Sequence, residues 1–333
     1  MIHVENMSKE FISPKKYPGF KGALKGLFSN EKVRKLAVDN ISFDIAKGEM
    51  VGYIGSNGAG KSTSIKMMTG ILTPTSGRCT VNGIVPYENR QMNAANIGVV
   101  FGQRTQLWWD LPLSETFSIL KEVYNVSDED FKNRMEFLQE VLGFNSFIHS
   151  TVRTLSLGQR MRADLAAALL HNPKVLYLDE PTIGLDLVVK DSMRQAIKEI
   201  NDEYQTTVIL TTHDLSDIEQ LCERIIIIDE GKVIYDGTIA NIKELYGKRR
   251  SVTVDVMDIQ ALEDIDFHDA FNLSGEQLAV AKEQSSISFD FDKNVLNISH
   301  IISKVMEDTA VRDIKIQDTQ ITDIVKEIYQ HGM

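Results

Sequence analysis

Cysteine is scarce in this chain. Cys79 and Cys222 are its only two in 333 residues, widely separated and without a C-x-x-C partner, which excludes a disulfide framework and a zinc site and predicts two small buried side chains. Long apolar runs are missing too. None approaches the roughly 18 to 20 residues that cross a bilayer, and the N-terminus, with acidic Glu5, has no hydrophobic segment of the secretory kind, so the expectation is a chain that stays in the cytoplasm. Positive charge is in the minority, with 36 Lys and Arg against 47 Asp and Glu for a net charge of −11, which argues against general affinity for nucleic acid. No internal repeat and no low-complexity tract interrupts the chain.

What remains is ordinary for a globular protein: 43% hydrophobic and 25% charged residues over a length that accommodates two domains. One stretch opposes the net charge. Residues 9–35 carry Lys9, Lys15, Lys16, Lys21, Lys25, Lys32, Arg34 and Lys35 against Glu10 and Glu31. Within it Phe20, Leu24, Leu27 and Phe28 fall on one helical face, although Gly22 and Gly26 weaken a helix there. Two readings stay open: a short basic amphipathic helix near anionic lipid or a membrane partner, or a solvated surface insertion.

Residues 55–63 read Gly55-Ser56-Asn57-Gly58-Ala59-Gly60-Lys61-Ser62-Thr63, which fills the G-x-x-x-x-G-K-[ST] pattern of a phosphate-binding loop. The apolar run Met50–Ile54 before it suits a buried parallel strand, and Ser64–Met68 after it has helical character. Glycines let the backbone wrap phosphates without Cβ clashes, and the following helix presents its positive end. Lys61 is then placed for the β- and γ-phosphates and Ser62 for Mg²⁺.

A second apolar strand, Val175–Leu178, delivers Asp179 and Glu180 at its carboxyl end, where ligands bind in open α/β sheets. Asp179 suits Mg²⁺, usually through water, and Glu180 is placed to orient or deprotonate an attacking water. Further strands are expected at 78–82, 97–101, 206–212 and 224–229, and helices across 114–147, 155–171 and 215–222. Strands alternating with helices predict a mostly parallel sheet covered on its faces. After the polar junction Gly247–Arg250 the pattern changes to β-type alternation at 251–257, 278–281 and 286–291. A helix at 295–306, a strand at 312–317 and a last helix at 322–329 complete a small α+β domain.

The chain closely resembles the ATP-binding subunit of ABC transporters. The decisive residues are Leu155-Ser156-Leu157-Gly158-Gln159, similar to the L-S-x-G-Q signature of that superfamily and beginning 24 residues before Asp179. Gln103 resembles its glutamine loop, Gly184-Leu185-Asp186 its D-loop, and His213 its switch histidine. Leu157 departs from the glycine most often found at the third signature position and leaves Ser156 and Gly158 intact. Without the family, the signature still has a physical logic: Ser156 is a good cap, Gly158 permits close approach, and the helix they open offers a positive end to an anion.

The resemblance covers about residues 1–245 and implies an α/β fold: a P-loop ABC-ATPase core with a mostly parallel sheet, an antiparallel β subdomain and a helical subdomain at about 104–172. The small α+β domain at 251–333 follows it in an accessory or regulatory role. It implies an Mg²⁺-dependent ATPase that dimerises head to tail on ATP, as a homodimer or with another nucleotide-binding subunit. Transport, in the exporter-type branch, would pass through separate transmembrane permease subunits, with this chain at the cytoplasmic face of the membrane. Carried over by residue, Gln103 touches Mg²⁺ or the attacking water, His213 contacts the γ-phosphate, and Ser156 and Gly158 contact the γ-phosphate of ATP held by the opposite subunit.

Phe11 matches the place of the adenine-stacking aromatic; a core role, or Tyr17 or Phe20 in its stead, remains open. Trp108 and Trp109 either help receive a cytoplasmic helix of the membrane subunit or pack inside the helical subdomain. The alternatives to transport are a soluble ABC-type ATPase of translation or DNA repair and a regulatory subunit without useful hydrolysis. Only 52 residues separate Gln103 from Leu155, too few for the long coiled coil of the repair ATPases, and Glu180 and His213 are intact.

Overall fold

The computed structural model describes residues 1–15, 31–102, 104–275 and 277–331. In chain order, β1 (Ile2–Pro14) and β2 (Lys32–Ile45) precede β3 (Met50–Gly55), α1 (Lys61–Met68), β4 (Ser76–Val81), α2 (Arg90–Ala94) and β5 (Ile97–Phe101). Next come α3 (Leu113–Val123), α4 (Asp128–Leu142), short 3-10 turns at Asn145–Phe147 and Val152–Thr154, and α5 (Leu157–Leu169). The series β6 (Val175–Asp179), α6 (Leu187–Tyr204), β7 (Thr207–Thr211), α7 (Leu215–Leu221), β8 (Arg224–Asp229) and β9 (Lys232–Thr238) ends the first part. Thereafter run α8 (Ile239–Tyr246), β10 (Arg249–Val256), a 3-10 turn at Gln260–Leu262, α9 (Phe267–Phe271), β11 (Leu278–Lys282), β12 (Ser286–Asp292), α10 (Ile298–Asp308), β13 (Val311–Asp318) and α11 (Ile321–His331). The chain divides into two compact units, Met1–Gly237 and Thr238–Met333.

In the first unit the central sheet has the order β5-β6-β7-β3-β8-β9. Neighbours β5/β6, β6/β7, β3/β7 and β3/β8 are parallel, and the interiors of β6, β7 and β8 are buried, as strands covered on both faces must be. Register sets the site. Phe101, Asp179 and Thr211 pair side by side at the carboxyl ends of β5, β6 and β7, so the acidic pair emerges next to the strand that leads to His213. The last strand, β9, returns from β8 through a two-residue turn, Glu230 (φ 45°) and Gly231 (φ 83°), the paired positive φ of a tight hairpin.

A smaller antiparallel sheet, β2-β1-β4, packs its inner residues Ile2, Val4, Met7, Ile41, Phe43, Cys79 and Val81 into the same core as Tyr53, Met67, Met68 and Tyr177. Fully burying an apolar side chain of this size contributes about 1.5–3 kcal/mol. Both cysteines are buried and free, and burial pushes each thiol up to about 12. Beyond Ser8, the last partner of β4, β1 pairs with β2 alone as far as Pro14 opposite Lys32. The outer parts of the basic stretch are therefore strand, and its proposed helical face, Phe20 to Phe28, lies outside the described residues.

The second unit holds a four-stranded antiparallel sheet ordered β11-β12-β10-β13. Its core joins Val252, Val254, Phe289 and Phe291 of the strands to Leu262, Phe267, Ile301 and Val305. The helix expected from residue 295 begins at Ile298, because Asn297 caps it by accepting from the Ser299 N–H at 3.1 Å; Val295 stays 47% exposed.

Among the described residues, no helix is long and apolar enough to cross a membrane.

Candidate active site

The glycine-rich loop joins β3 to α1, and its glycines stand where other residues would clash. Gly60 adopts φ 109° at the start of α1, and a Cβ there would meet the Ala37 carbonyl at 2.5 Å. At Gly55 a Cβ would meet the Ile228 carbonyl at 2.3 Å. The loop is also pinned from outside, since the Ser56 hydroxyl donates to Asp229 at 2.8 Å. Helix α1 directs its first N–H groups, without intrahelical acceptors, toward the loop, a cradle suited to an anion.

Lys61 curls back into this loop, its ammonium donating to the Gly55 and Ser56 carbonyls at 2.6 and 3.1 Å. Burial holds its pKa below the usual lysine value, against the opposite pull of the Glu180 and Asp179 carboxylates. On β6, Asp179 accepts from the Thr211 hydroxyl at 2.5 Å. Glu180 follows with φ 56°. Its carboxylate lies 3.3 Å from the His213 Nε2 and also accepts from the His213 N–H at 3.3 Å. Burial raises its pKa first, and nearby Asp179 adds to that, while His213 and Lys61 act in the other sense. A carboxylate with its proton affinity raised, beside a histidine at the edge of a cavity, has the properties of a general base.

Phe11, Asn57, Gly58, Gly60, Lys61, Ser62, Thr63, Asp179, Glu180 and His213 line one cavity of about 820 Å³. Phe11 is 40% exposed, so it is not a core residue; Tyr17 and Phe20 lie outside the described residues. Opposite Phe11 in the β1/β2 register stands Lys35, which lines the same cavity together with Arg104. Both cations were missed as site residues by the sequence reading. The signal for Arg104 is its place beside Gln103, and for Lys35 the strand pairing that no sequence pattern announces.

Gln103 lies outside the described residues. Its neighbour Gly102 donates its N–H to the Asp179 carbonyl at 2.7 Å, and a Cβ on Gly102 would sit 2.1 Å from the Glu180 carbonyl.

The signature residues do not line the cavity. Ser156 caps α5 in a reciprocal box: its hydroxyl accepts from the Gln159 N–H at 3.3 Å, while the Gln159 side chain accepts from the Ser156 N–H at 2.9 Å. Leu155 is buried beneath it. Leu157 approaches Gly184, where a Cβ would meet its Cδ2 at 3.1 Å, and a Cβ on Gly158 would meet Val189 at 3.0 Å. The signature thus rests against the segment around Asp186, which itself caps α6 by accepting from the Val189 N–H at 3.0 Å. Trp108 and Trp109 are 42% and 49% exposed, which corrects the reading that buries them in the helical subdomain; the Arg160 guanidinium lies 5.6 Å from the Trp109 ring.

A buried ion pair ties these loops together, and the sequence reading missed it. Asp217, wholly buried, accepts from Arg194 of α6 at 2.5 Å and 2.7 Å, from the Thr182 hydroxyl at 2.5 Å and from the Thr212 hydroxyl at 3.2 Å. Thr182 follows Glu180 by two residues and Thr212 precedes His213, so one carboxylate anchors both sides of the Glu180–His213 contact.

Comparison with known proteins agrees with this geometry. Residues 38–183 match the family described as ABC transporter. The chain is 33% identical over 217 residues to the ABC transporter ATP-binding protein NatA of Bacillus subtilis (strain 168), a match spanning 65% of this chain and 88% of that protein. With the linearmycin resistance ATP-binding protein LnrL of the same organism it shares 29% identity over 290 residues, 86% of this chain and 90% of the other. Among solved structures it is similar to the dimeric, post-hydrolysis ATP-binding cassette MJ0796 bound to ADP and Pi, at 26% identity and TM-score 0.59, covering 72% of this chain and 99% of that one.

The chain therefore belongs to the ATP-binding subunits of ABC transporters, with the α/β fold of their ATPases.

Proposed function

We propose that this chain hydrolyses ATP with Mg²⁺ in a head-to-tail dimer, with itself or with another nucleotide-binding subunit. In that dimer the Lys61 loop of one copy and the Ser156 signature of the other close on the same nucleotide. The observation that carries the reading is a division of the site. Phe11, Lys61, Ser62, Asp179, Glu180 and His213 share one cavity, while Leu155 to Gln159 and Asp186 lie outside it. The solved relative whose description names a dimer with ADP and Pi supports dimerisation and hydrolysis.

Bound ATP supplies the γ-phosphoryl group, and this chain's residues do the rest. Lys61 and the loop N–H groups take the phosphate charge, Phe11 stacks on the base, and Glu180 accepts a proton from the attacking water while His213 holds the carboxylate in place. The described residues contain no group of three or more His, Cys, Asp or Glu that converges on a metal. Ser62 and Asp179, a hydroxyl and a carboxylate on one cavity, suit Mg²⁺, which takes oxygen donors and keeps waters and phosphate oxygens around it; Gln103 is assigned to the same cluster from its place in the sequence.

Residues 1–245 form the ATP-binding domain in this reading, with the helical subdomain at about 104–172, and 251–333 an accessory domain that supports the dimer or regulates it. Separate permease subunits carry the substrate outward, and this chain sits on the cytoplasmic face of the membrane with no nucleic-acid partner. Support for export comes from the Leu157-type signature and the segment from Gln103 to Trp109. Exposed Trp108 and Trp109 suit docking of a permease helix.

The test is Glu180→Gln, which keeps the shape of the site and removes the base. Expected are retained ATP binding, a stable ATP-bound dimer on size-exclusion chromatography, and turnover reduced by at least about a hundredfold, the contribution typical of a general base. Hydrolysis at the wild-type rate would remove Glu180 from the catalytic role.

A further inference from the structure

A second cavity, of about 490 Å³, lies in the first unit among the ends of α3, α5 and α6 and the start of α4. It shares no lining residue with the nucleotide cavity, and its volume is that of a small-molecule site. Three of its polar groups have unused capacity. Arg134 of α4 is only 8% exposed, yet among the described residues its guanidinium has no ion-pair or hydrogen-bond partner; it lies flat against Tyr204, 3.7 Å from the ring centre. Burial pulls its pKa down, against the opposite pull of Tyr204, Asp130 and Glu203, and cation–π contact replaces only part of the lost hydration.

His171 supplies the second group. Its Nε2 faces the Ile97 carbonyl at 3.0 Å; a carbonyl only accepts, so the ring proton sits on Nε2 and Nδ1 is left as an acceptor. That Nδ1 is buried without a partner. The ring is fixed by stacking on Tyr124, with centroids 3.8 Å apart and planes within 5°. The third group is Asp130, exposed at the mouth, where one carboxylate oxygen takes the Ser127 hydroxyl at 2.7 Å and the other is free of any such bond.

A ligand matching these groups carries an anion for Arg134 and a cationic N–H donor for the His171 Nδ1 and Asp130 acceptors. A simple anion leaves both acceptors unmet and meets Asp130 as a like charge; a simple amine leaves Arg134 unmet and adds a like charge beside it. From this pairing of needs we propose that the cavity binds a small zwitterion of the α-amino-acid class, its carboxylate on Arg134 and its ammonium toward His171 and Asp130. The site lies at the far ends of two elements that lead to the nucleotide machinery: His171 follows the carboxyl end of α5, whose other end is the Ser156 signature, and bonds to Ile97, where β5 begins its run toward Gln103.

Binding to the full-length protein, without nucleotide, decides the matter. Thermal shift and titration calorimetry are run with the twenty amino acids, and with acetate, inorganic phosphate and methylammonium as single-charge probes. Expected is saturable, sub-millimolar binding of at least one amino acid, with none of the three probes matching it. Arg134→Gln should weaken that binding roughly tenfold to a hundredfold, as loss of a charge-assisted bond does. Asp130→Asn, at the exposed mouth, gives a second variant should Arg134→Gln misfold, and should weaken the amino acid while leaving phosphate unaffected. ATP affinity stays as in the wild type in both variants, which separates this site from the nucleotide cavity. The proposal is overturned if no amino acid saturates the folded protein, if acetate or phosphate binds as tightly, or if a folded Arg134 or Asp130 variant binds the amino acid unchanged.

Discussion

Glu180 stands in the left-handed region at φ 56°, a conformation that costs a non-glycine residue about 1 kcal/mol or more and persists only where the surroundings enforce it. Those surroundings are the Glu180 N–H bonded to the Thr211 carbonyl at 2.9 Å and a carboxylate held twice by His213. At the carboxyl end of β6 this conformation sets the Glu180 side chain against His213, the position the proposed base requires. Lys61 is the opposite case, a half-buried cation whose present partners are the loop's own carbonyls. Lys61→Ala removes the charge that phosphate would take, so ATP affinity should fall roughly tenfold to a hundredfold; an unchanged dissociation constant by titration would contradict its phosphate role. Phe11, 40% exposed on the cavity rim, separates binding from folding. Phe11→Ala should cost about 1–3 kcal/mol in nucleotide binding and less than about 0.5 kcal/mol in stability, while Phe11→Tyr restores affinity. A stability loss without an affinity loss would return Phe11 to a packing role.

At the scale of elements, Ser156 has one duty in the fold and a second one in the proposed dimer. As the cap of α5 it satisfies the Gln159 N–H, and Ser156→Ala should cost about 1 kcal/mol of stability by denaturant titration. As a phosphate contact in the partner copy it needs a neutral hydroxyl, so Ser156→Asp keeps the cap but repels the γ-phosphate. Both variants should lose ATPase activity, and only the alanine should lose stability; activity retained in the aspartate variant would leave Ser156 a cap alone. The strands and helices that carry the site were legible because their apolar runs end at polar residues of fixed type. β3 ends at the Gly55 loop, β6 at Asp179–Glu180, and α5 starts at Ser156. Helix α6 is not among the expected elements, although Met193, Ala196, Ile197 and Ile200, all buried, repeat at helical spacing. Arg194–Asp217 and Lys35–Phe11 were illegible for a physical reason. Each joins positions 23 or 24 residues apart through tertiary packing or strand register, and neither follows from local periodicity.

For the molecule as a whole, one buried and one half-buried group of the first unit titrate in opposite senses. Asp164, 3% exposed, accepts from the Thr105 hydroxyl at 2.9 Å and the Gln106 N–H at 3.1 Å, yet burial pushes its carboxyl up to about 6. His171 is carried down to about 4 by burial. In the unfolded chain the same groups titrate near 3.9 and 6.5. Between about 4 and 6 the folded chain holds the Asp164 proton more firmly, so this group makes stability fall as pH rises. Between about 4 and 6.5 the unfolded chain binds the His171 proton more firmly, so this group makes stability rise. Each slope approaches about 1.4 kcal/mol per pH unit at most, and because the windows overlap the two largely offset each other. Removing one should expose the other. Asp164→Asn, which keeps an oxygen for Thr105 and Gln106, should show a urea midpoint that climbs more steeply than wild type from pH 4.5 to 6.5. His171→Gln, whose amide can still donate to Ile97, should show a midpoint that climbs less or falls. Trp108 and Trp109, both in this unit, report its unfolding by fluorescence, and identical pH slopes in wild type and both variants would show that burial does not set these two proton affinities.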